Sequence, residues 1–542
     1  MQNAAQNAVS TVSGADGGRV SALAARASAE APTFIGIATA LISSLLLILS
    51  FPDFNLWPLA WVALVPLLVL VARGPMPGKA FLLGWLAGTV FFYGSCHWLT
   101  FSMIHYGGIP RWVAYLLLLP GALILGFFPG VFALVLARAI KKWGIYVLLV
   151  APFVWSALEW ARLSLTGQLW NAIGYSQAYQ PMLIQSARWG GVYAVGFLVV
   201  AVNAALALLV LKRNAKAAAI AGGVVASVAI LGFVSCATSQ AENSEGNSGT
   251  PDVRVVALQP NVPMNPVKSA NELRELRSRH VALSENALKQ FANDGTPRLV
   301  IWPESPMNFS YGGDAQFRAL VARFATANQT SLLFNSLEPA TNDGLLNSAV
   351  LVNQQGSPIA QYDKIRLLPF GEYVPLPRWL PGASLIGAIV GDFTPGTNYA
   401  LMPVGTSQAG VFICIESAYP GIARRFTAEG ADVLINISND GYLGPTAVMR
   451  QHLANAVFRA VENNRPLLRV TNTGITAYIT ANGQVKDATS GFQTDVRTWS
   501  IDRGDRATTF YSTHGDLFVG TNATLILLLF AASFYVRRKE RD

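Results

Sequence analysis

Charged side chains are scarce in this chain: Asp, Glu, Lys and Arg together make up 13% of it, about half the share usual in soluble domains. Hydrophobic residues reach 52%, an imbalance that argues against an ordinary soluble enzyme and for a membrane protein. Cysteine is scarce as well. Cys96, Cys236 and Cys414 are too few and too scattered for a disulfide framework or a zinc site. No Cys-x-x-Cys or His-x-x-x-His spacing occurs, so neither a structural metal nor a cofactor is expected. His97, His105, His280, His452 and His514 form no cluster, and His452 reads as structural. Residues 1–32 lack the apolar centre and cleavage site of a signal peptide, and are expected to form a flexible cytosolic tail.

What the chain has in abundance is long apolar runs. Crossing the hydrocarbon core takes roughly 20 apolar residues in a helix. Seven runs precede residue 240, at about 34–50, 56–72, 80–102, 113–137, 145–161, 190–211 and 217–236, and an eighth covers 517–536. They predict seven transmembrane helices within 33–237 and an eighth near the C-terminus. The net charge of +9 has a topological explanation, since short cytosolic loops collect Lys and Arg. Arg19 and Arg26, Arg73 and Lys79, Arg138, Lys141 and Lys142, and Lys212, Arg213 and Lys216 fall on one side, with the tail 537–542. The opposite loops hold only Arg111, Arg162 and Arg188. Both termini are therefore expected in the cytosol and 238–516 outside it. The basic residues are not interleaved with aromatics in patches, which argues against a nucleic-acid partner. Cys96 and Cys236 lie in apolar runs and read as inert small side chains.

The fifth run ends in a less bland segment. Glu159 and Arg162, three apart, share a helical face where they can pair, and Trp160, Trp170, Tyr175 and Tyr179 follow. Two readings stand: interfacial aromatic anchors, or the mouth of a lipid site facing the outer domain.

Residues 238–252 read as a polar linker. Beyond them, over 253–510, short β-rich segments alternate with amphipathic helices, as in a layered α/β domain. Arg254–Leu258, Leu299–Trp302, Ser331–Phe334, Asn347–Val352, Gly410–Cys414, Val433–Ile437, Leu468–Thr471 and Ala477–Thr480 are the expected strands, with helices over 266–292, 314–327 and 446–463.

Three residues of this domain stand at or just past the end of such a segment. Glu304 follows Ile301-Trp302-Pro303, Lys364 lies in Tyr362-Asp-Lys-Ile, and Cys414 closes Val411-Phe-Ile. Ligands collect at the carboxyl ends of strands in open α/β sheets, so the three can converge across the sequence. Singly each has a plain structural reading: a turn residue, a surface ion pair, an apolar filler.

Together, the strings Trp302-Pro-Glu-Ser-Pro306, Asp363-Lys-Ile-Arg-Leu-Leu-Pro-Phe-Gly-Glu372 and Ile413-Cys-Ile-Glu416 resemble the Glu-Lys-Cys triad of the nitrilase superfamily, in that chain order. Set between a seventh and an eighth membrane helix, such a domain resembles the apolipoprotein N-acyltransferase branch. Ser50-Phe-Pro-Asp-Phe54, Glu159-Trp-Ala-Arg162, Leu258-Gln-Pro-Asn-Val-Pro263, Asn436-Ile-Ser-Asn-Asp-Gly441 and Arg465-Pro-Leu-Leu-Arg-Val-Thr-Asn-Thr-Gly-Ile475 fit the same branch. Ile415 and Tyr442 depart from it, standing where an aromatic residue and Trp are usual.

The resemblance implies an αββα sandwich outside the inner membrane. Cys414 would be nucleophile, Glu304 general base, and Lys364 with the N–H of Ile415 the oxyanion donors. Glu372 would orient Lys364 or assist the base, and Glu416 would line the site. Arg162, Trp170, Trp379 and Tyr442 are candidates for substrate binding. The implied reaction moves an acyl chain from a phospholipid to Cys414, then to the α-amine of a diacylglyceryl-cysteine at a lipoprotein's N-terminus. The rival reading is a membrane-bound amidase in which water resolves the thioester. A further expectation is that the apolar segment 378–390 is an arm that dips into the bilayer.

Overall fold

The computed structural model describes residues 33–244, 251–265, 268–291, 295–340, 344–369, 371–374, 393–502 and 507–539, excepting the side chains of 235–244 and 532–539. Trp379 and the predicted arm at 378–390 lie outside the described residues, as does the N-terminal tail.

Apolar runs become helices, but not eight spanning ones. Among the described residues four helices are long and apolar enough to cross a membrane: Arg111–Trp143, Ile145–Thr166, Ala187–Lys212 and Ala215–Val234. A fifth span is possible if Pro77–Ser95 and Leu99–His105, which meet at a 52° bend, count as one. The expected helix at 56–72 is corrected: it is a 3₁₀ turn, Trp57–Trp61, followed by a short helix, Val65–Ala72. Pro58 and Pro66 sit in the first turns of these two pieces, where a missing N–H is harmless, whereas inside one continuous helix each would break it. Phe34–Ser50, at 17 residues, falls short of the roughly 20 that a full crossing takes.

The Pro77–Ser95 and Arg111–Trp143 helices pack closely because glycine lines their seam. A Cβ on Gly84 would stand 2.5 Å from the Pro129 carbonyl oxygen, and one on Gly126 2.4 Å from the Thr89 hydroxyl. Small residues at such contacts let helix backbones approach in a membrane setting.

The outer part holds two six-stranded sheets, ordered β12-β1-β2-β3-β4-β5 and β11-β10-β9-β8-β7-β6. In chain order the strands are β1 Val253–Gln259, β2 Arg298–Ile301, β3 Ser331–Pro339, β4 Leu345–Val352, β5 Pro358–Asp363, β6 Leu401–Val404, β7 Ser407–Ile413, β8 Val433–Ser438, β9 Leu467–Thr471, β10 Ala477–Ile479, β11 Val485–Lys486 and β12 Asp495–Ile501. Each sheet has a parallel centre, β1-β2-β3 or β7-β8-β9, with antiparallel strands outside. Strand alternation sorts the side chains between two cores. Val255, Ala257, Leu299 and Ile301 face the core shared with Val411, Ile413 and Ile435 of the other sheet. Val256, Val300, Leu332 and Phe334 face the helices Ala270–Leu288 and Ala315–Asn328 instead. On the far side Pro420–Ala428 and Val448–Asn463 cover the second sheet. The layers are therefore helix, sheet, sheet, helix.

The two halves of the chain meet on the Val448–Asn463 helix. There Arg459 and Glu462, both fully buried, pair at 2.7 Å. Glu462 also accepts the Val192 N–H at 2.9 Å, and Arg459 donates to the Tyr175 hydroxyl at 3.3 Å.

Candidate active site

Topology brings the three sequence-predicted residues to one edge. β2 and β7 end there, and β5, antiparallel to β4, runs the same way as β3 and ends there too. Glu304, Lys364 and Cys414 follow these three ends. By the same geometry β4 begins at this edge, bringing in Asn347.

Lys364 is 1% exposed and its Nζ lies 2.8 Å from Glu372 Oε1 and 3.6 Å from Glu304 Oε1. Asn347 Nδ2 donates to both carboxylates, at 3.0 Å to Glu304 and 2.7 Å to Glu372, while Asn347 Oδ1 accepts from Asn335 Nδ2 at 2.7 Å. The Leu368 N–H, at 2.7 Å, fixes the second Glu372 oxygen. The Cys414 side chain is close enough to feel the charges of both Glu304 and Lys364.

Burial sets the protonation states. It pushes the Cys414 thiol up, and the charge of Glu304 pushes it further, so the resting side chain is a thiol. Burial also raises Glu304, against the pull of Lys364. For Lys364 burial works downward, but Glu372 and then Glu304 outweigh it and hold the group well above its ordinary value. The site is a thiol, a poised carboxyl and a fixed ammonium.

Cys414 opens a 3₁₀ turn, Cys414–Ala418, with φ of +53°, a left-handed conformation that costs a non-glycine residue about 1–2 kcal/mol. Glu416 anchors this turn. Its buried carboxylate accepts the N–H of Ile413 at 2.8 Å, of Ile365 at 2.8 Å and of Arg366 at 3.0 Å, and the Tyr362 hydroxyl at 2.8 Å. Glu416 thus ties the Lys364 loop to the Cys414 turn, where the resemblance had implied a site-lining residue.

Ile415 joins Trp98, Trp170, Ala418, Ala447 and Val448 in an apolar cluster that Cys414 borders. Trp170 is 6% exposed and its ring centre is 5.7 Å from that of His452. Arg162 does not reach the triad. It donates to the carbonyls of Trp170 and Leu169, at 2.9 and 3.5 Å, while Glu159 accepts the Ile173 N–H at 2.8 Å. The expected ion pair between Glu159 and Arg162 does not form; each side chain instead holds backbone of the 169–173 loop that carries Trp170. Tyr442 lies beside the site: burial, then Glu304, pushes its phenol up to about 12. Its carbonyl accepts the Ser102 hydroxyl at 2.5 Å.

Sequence reasoning missed Asn347 and the groups behind Cys414. His452 Nε2 is 3.0 Å from the Cys414 carbonyl oxygen and Nδ1 is 2.7 Å from Asp440 Oδ1. Arg469 binds Asp440 at 2.9 Å and Asn436 at 2.5 Å. The strings around Asn436 and Arg469 were visible as motifs, but nothing local says that they converge on Cys414. Among the described residues no three of His, Cys, Asp and Glu group as a metal would need.

Known proteins divide the chain where the structure does. Residues 43–205 match the family model described as the apolipoprotein N-acyltransferase N-terminal domain, and 253–511 match that of the carbon-nitrogen hydrolases. The apolipoprotein N-acyltransferase of Geobacter metallireducens is 34% identical over 88% of this chain and 91% of its own. Those of Chlorobaculum tepidum and Nitrosomonas europaea are 29% and 30% identical, over 88% and 90% of this chain and 92% and 96% of theirs. Identity of 34% over 88% of the chain, spanning both the membrane half and the carbon-nitrogen hydrolase domain, shows that the chain belongs to the apolipoprotein N-acyltransferase family.

Proposed function

We propose that the protein transfers a fatty acyl chain from a membrane phospholipid, through a thioester on Cys414, to the α-amine of the diacylglyceryl-cysteine that begins an apolipoprotein. The observation that carries this reading is the site's composition and place: a half-buried thiol and carboxyl beside a buried ammonium, bordered by Trp98 and Trp170 of the membrane half.

Cys414 Sγ attacks the ester carbonyl as its proton passes to Glu304. Lys364 Nζ and the Ile415 N–H hold the oxyanion. The lysophospholipid leaves with the proton from Glu304. In the second half the amine attacks the thioester and gives its proton to Glu304, which passes it to Cys414 Sγ as the C–S bond breaks and the thiol leaves. Glu372 keeps Lys364 charged and in place throughout. Trp170, on a loop fixed by Arg162, would wall the acyl path, and Tyr442 would limit space over Glu304.

A soluble site would need no membrane half, whereas two bilayer-confined substrates do. The membrane segments within 33–237 and at 517–536 would set the catalytic domain on the outer face of the inner membrane, with both termini in the cytosol. Incubating detergent-purified protein with phospholipid and a diacylated lipopeptide tests the reading. An amide-linked chain on the peptide is expected. Free fatty acid with an unchanged peptide would overturn it in favour of a hydrolase.

A further inference from the structure

Two adjacent residues at the start of the Val448–Asn463 helix face different halves of the molecule. Gln451 is 4% exposed and every bond of its amide crosses to the membrane half. Its Oε1 accepts Trp98 Nε1 at 3.0 Å and Trp170 Nε1 at 2.8 Å, and its Nε2 donates to the carbonyls of Pro52 at 2.9 Å and Ser95 at 3.0 Å. That uses both donors and both lone pairs of a glutamine side chain. His452, about 100° further round the helix, hydrogen-bonds only within the outer domain, its two nitrogens facing the Cys414 carbonyl and the Asp440 carboxylate. Both partners only accept, so the ring donates from both nitrogens as the imidazolium, held so by these two acceptors against burial and Arg469, which draw its pKa down.

The bond to the Cys414 carbonyl bears on the chemistry through the peptide plane. The Cys414 carbonyl and the Ile415 N–H belong to one planar trans unit, so they point in opposite directions. A donor on the carbonyl therefore aims the N–H, and polarises it toward a stronger donor. Asn436 Nδ2, at 3.4 Å from the same oxygen, supports the arrangement. Cys414 is left-handed, a conformation that persists only where its surroundings enforce it.

We propose that His452 is a positioning residue that aims the Ile415 N–H at the oxyanion, and that Gln451 registers this peptide against the membrane half where lipid arrives. The inference rests on the acyl-transfer reading above. It makes the first turn of one helix the mechanical link between bilayer and oxyanion donor.

The test uses the full chain in vesicles of phosphatidylethanolamine and phosphatidylglycerol, with two readouts. Acylation of Cys414 by phospholipid forms an oxyanion, and alkylation of the same thiol by iodoacetamide does not. His452→Ala is expected to slow acylation by ~10²-fold, the scale of one lost oxyanion donor, with alkylation near the wild-type rate. His452→Gln, whose amide N–H can reach the carbonyl, is expected to recover part of it. Gln451→Ala is expected to slow acylation by phospholipid while p-nitrophenyl butyrate still acylates the enzyme. Acylation by His452→Ala at the wild-type rate, or falling in step with alkylation, would overturn the role given to His452. Equal losses with both acyl donors in Gln451→Ala would overturn the register role. Wild-type protein that alkylates but never acylates would defeat the acyl-transfer reading itself.

Discussion

Lys364 lies 0.8 Å nearer to Glu372 than to Glu304, at 2.8 against 3.6 Å. The ammonium thus has one committed partner, and Glu304 remains available to take a proton from Cys414. Removing Lys364 leaves two buried carboxylates facing each other. Lys364→Met is expected to lower the acylation rate by ~10²–10³-fold and stability by about 3–5 kcal/mol. Thioester formation and thermal unfolding in detergent check the two effects, and an active, stable variant would contradict the assignment.

Glu304 acts as a base only when ionised, and its pKa is raised chiefly by burial. Activity should therefore fall as pH drops through a value above the ~4.3 of a free glutamate. A pH–rate profile of thioester formation reads this limb. Glu304→Gln should remove it along with most of the rate, ~10²–10⁴-fold. A limb that survives in the variant would assign the base elsewhere.

Asn347 donates to both carboxylates. Asn347→Asp would place a third acid between them, and a like charge raises a neighbouring carboxyl's pKa. The acid limb is expected to move to higher pH, which the same profile measures. An unmoved limb would mean that Asn347 has no hold on the base.

Asp440 is drawn down to about 2 by Arg469 and His452, which overcome its burial. Its folded pKa lies below the ordinary 3.8, so the pairing stabilises fully above that value and is lost as pH falls from about 4 to about 2. The contribution is about 2 kcal/mol. Unfolding midpoints across this range should drop more steeply for the wild type than for Asp440→Asn. Parallel curves would remove Asp440 from the acid response.

The triad was legible because each member ends a short apolar segment with a distinctive string, and strand ends converge in layered sheets. Asn347 was not, because it lies near the start of its strand rather than its end, and only the antiparallel turn from β3 into β4 carries it to the same edge. His452 reads as a lone histidine until the helix after β8 is folded over Cys414. The membrane count erred at 56–72 for a local reason: an apolar-run reading passes over Pro58 and Pro66, which interrupt the helix. Pairing of β12 with β1 joins Ile501 to Val253 across nearly the whole domain, a partnership no local pattern announces.

The central claim is a covalent acyl group on Cys414, and intact mass measurement of purified protein after exposure to phospholipid tests it most directly. The account predicts an added acyl mass that hydroxylamine removes, absent from Cys414→Ala and discharged when a diacylated lipopeptide is supplied. Wild-type protein that processes phospholipid without ever gaining that mass would contradict it.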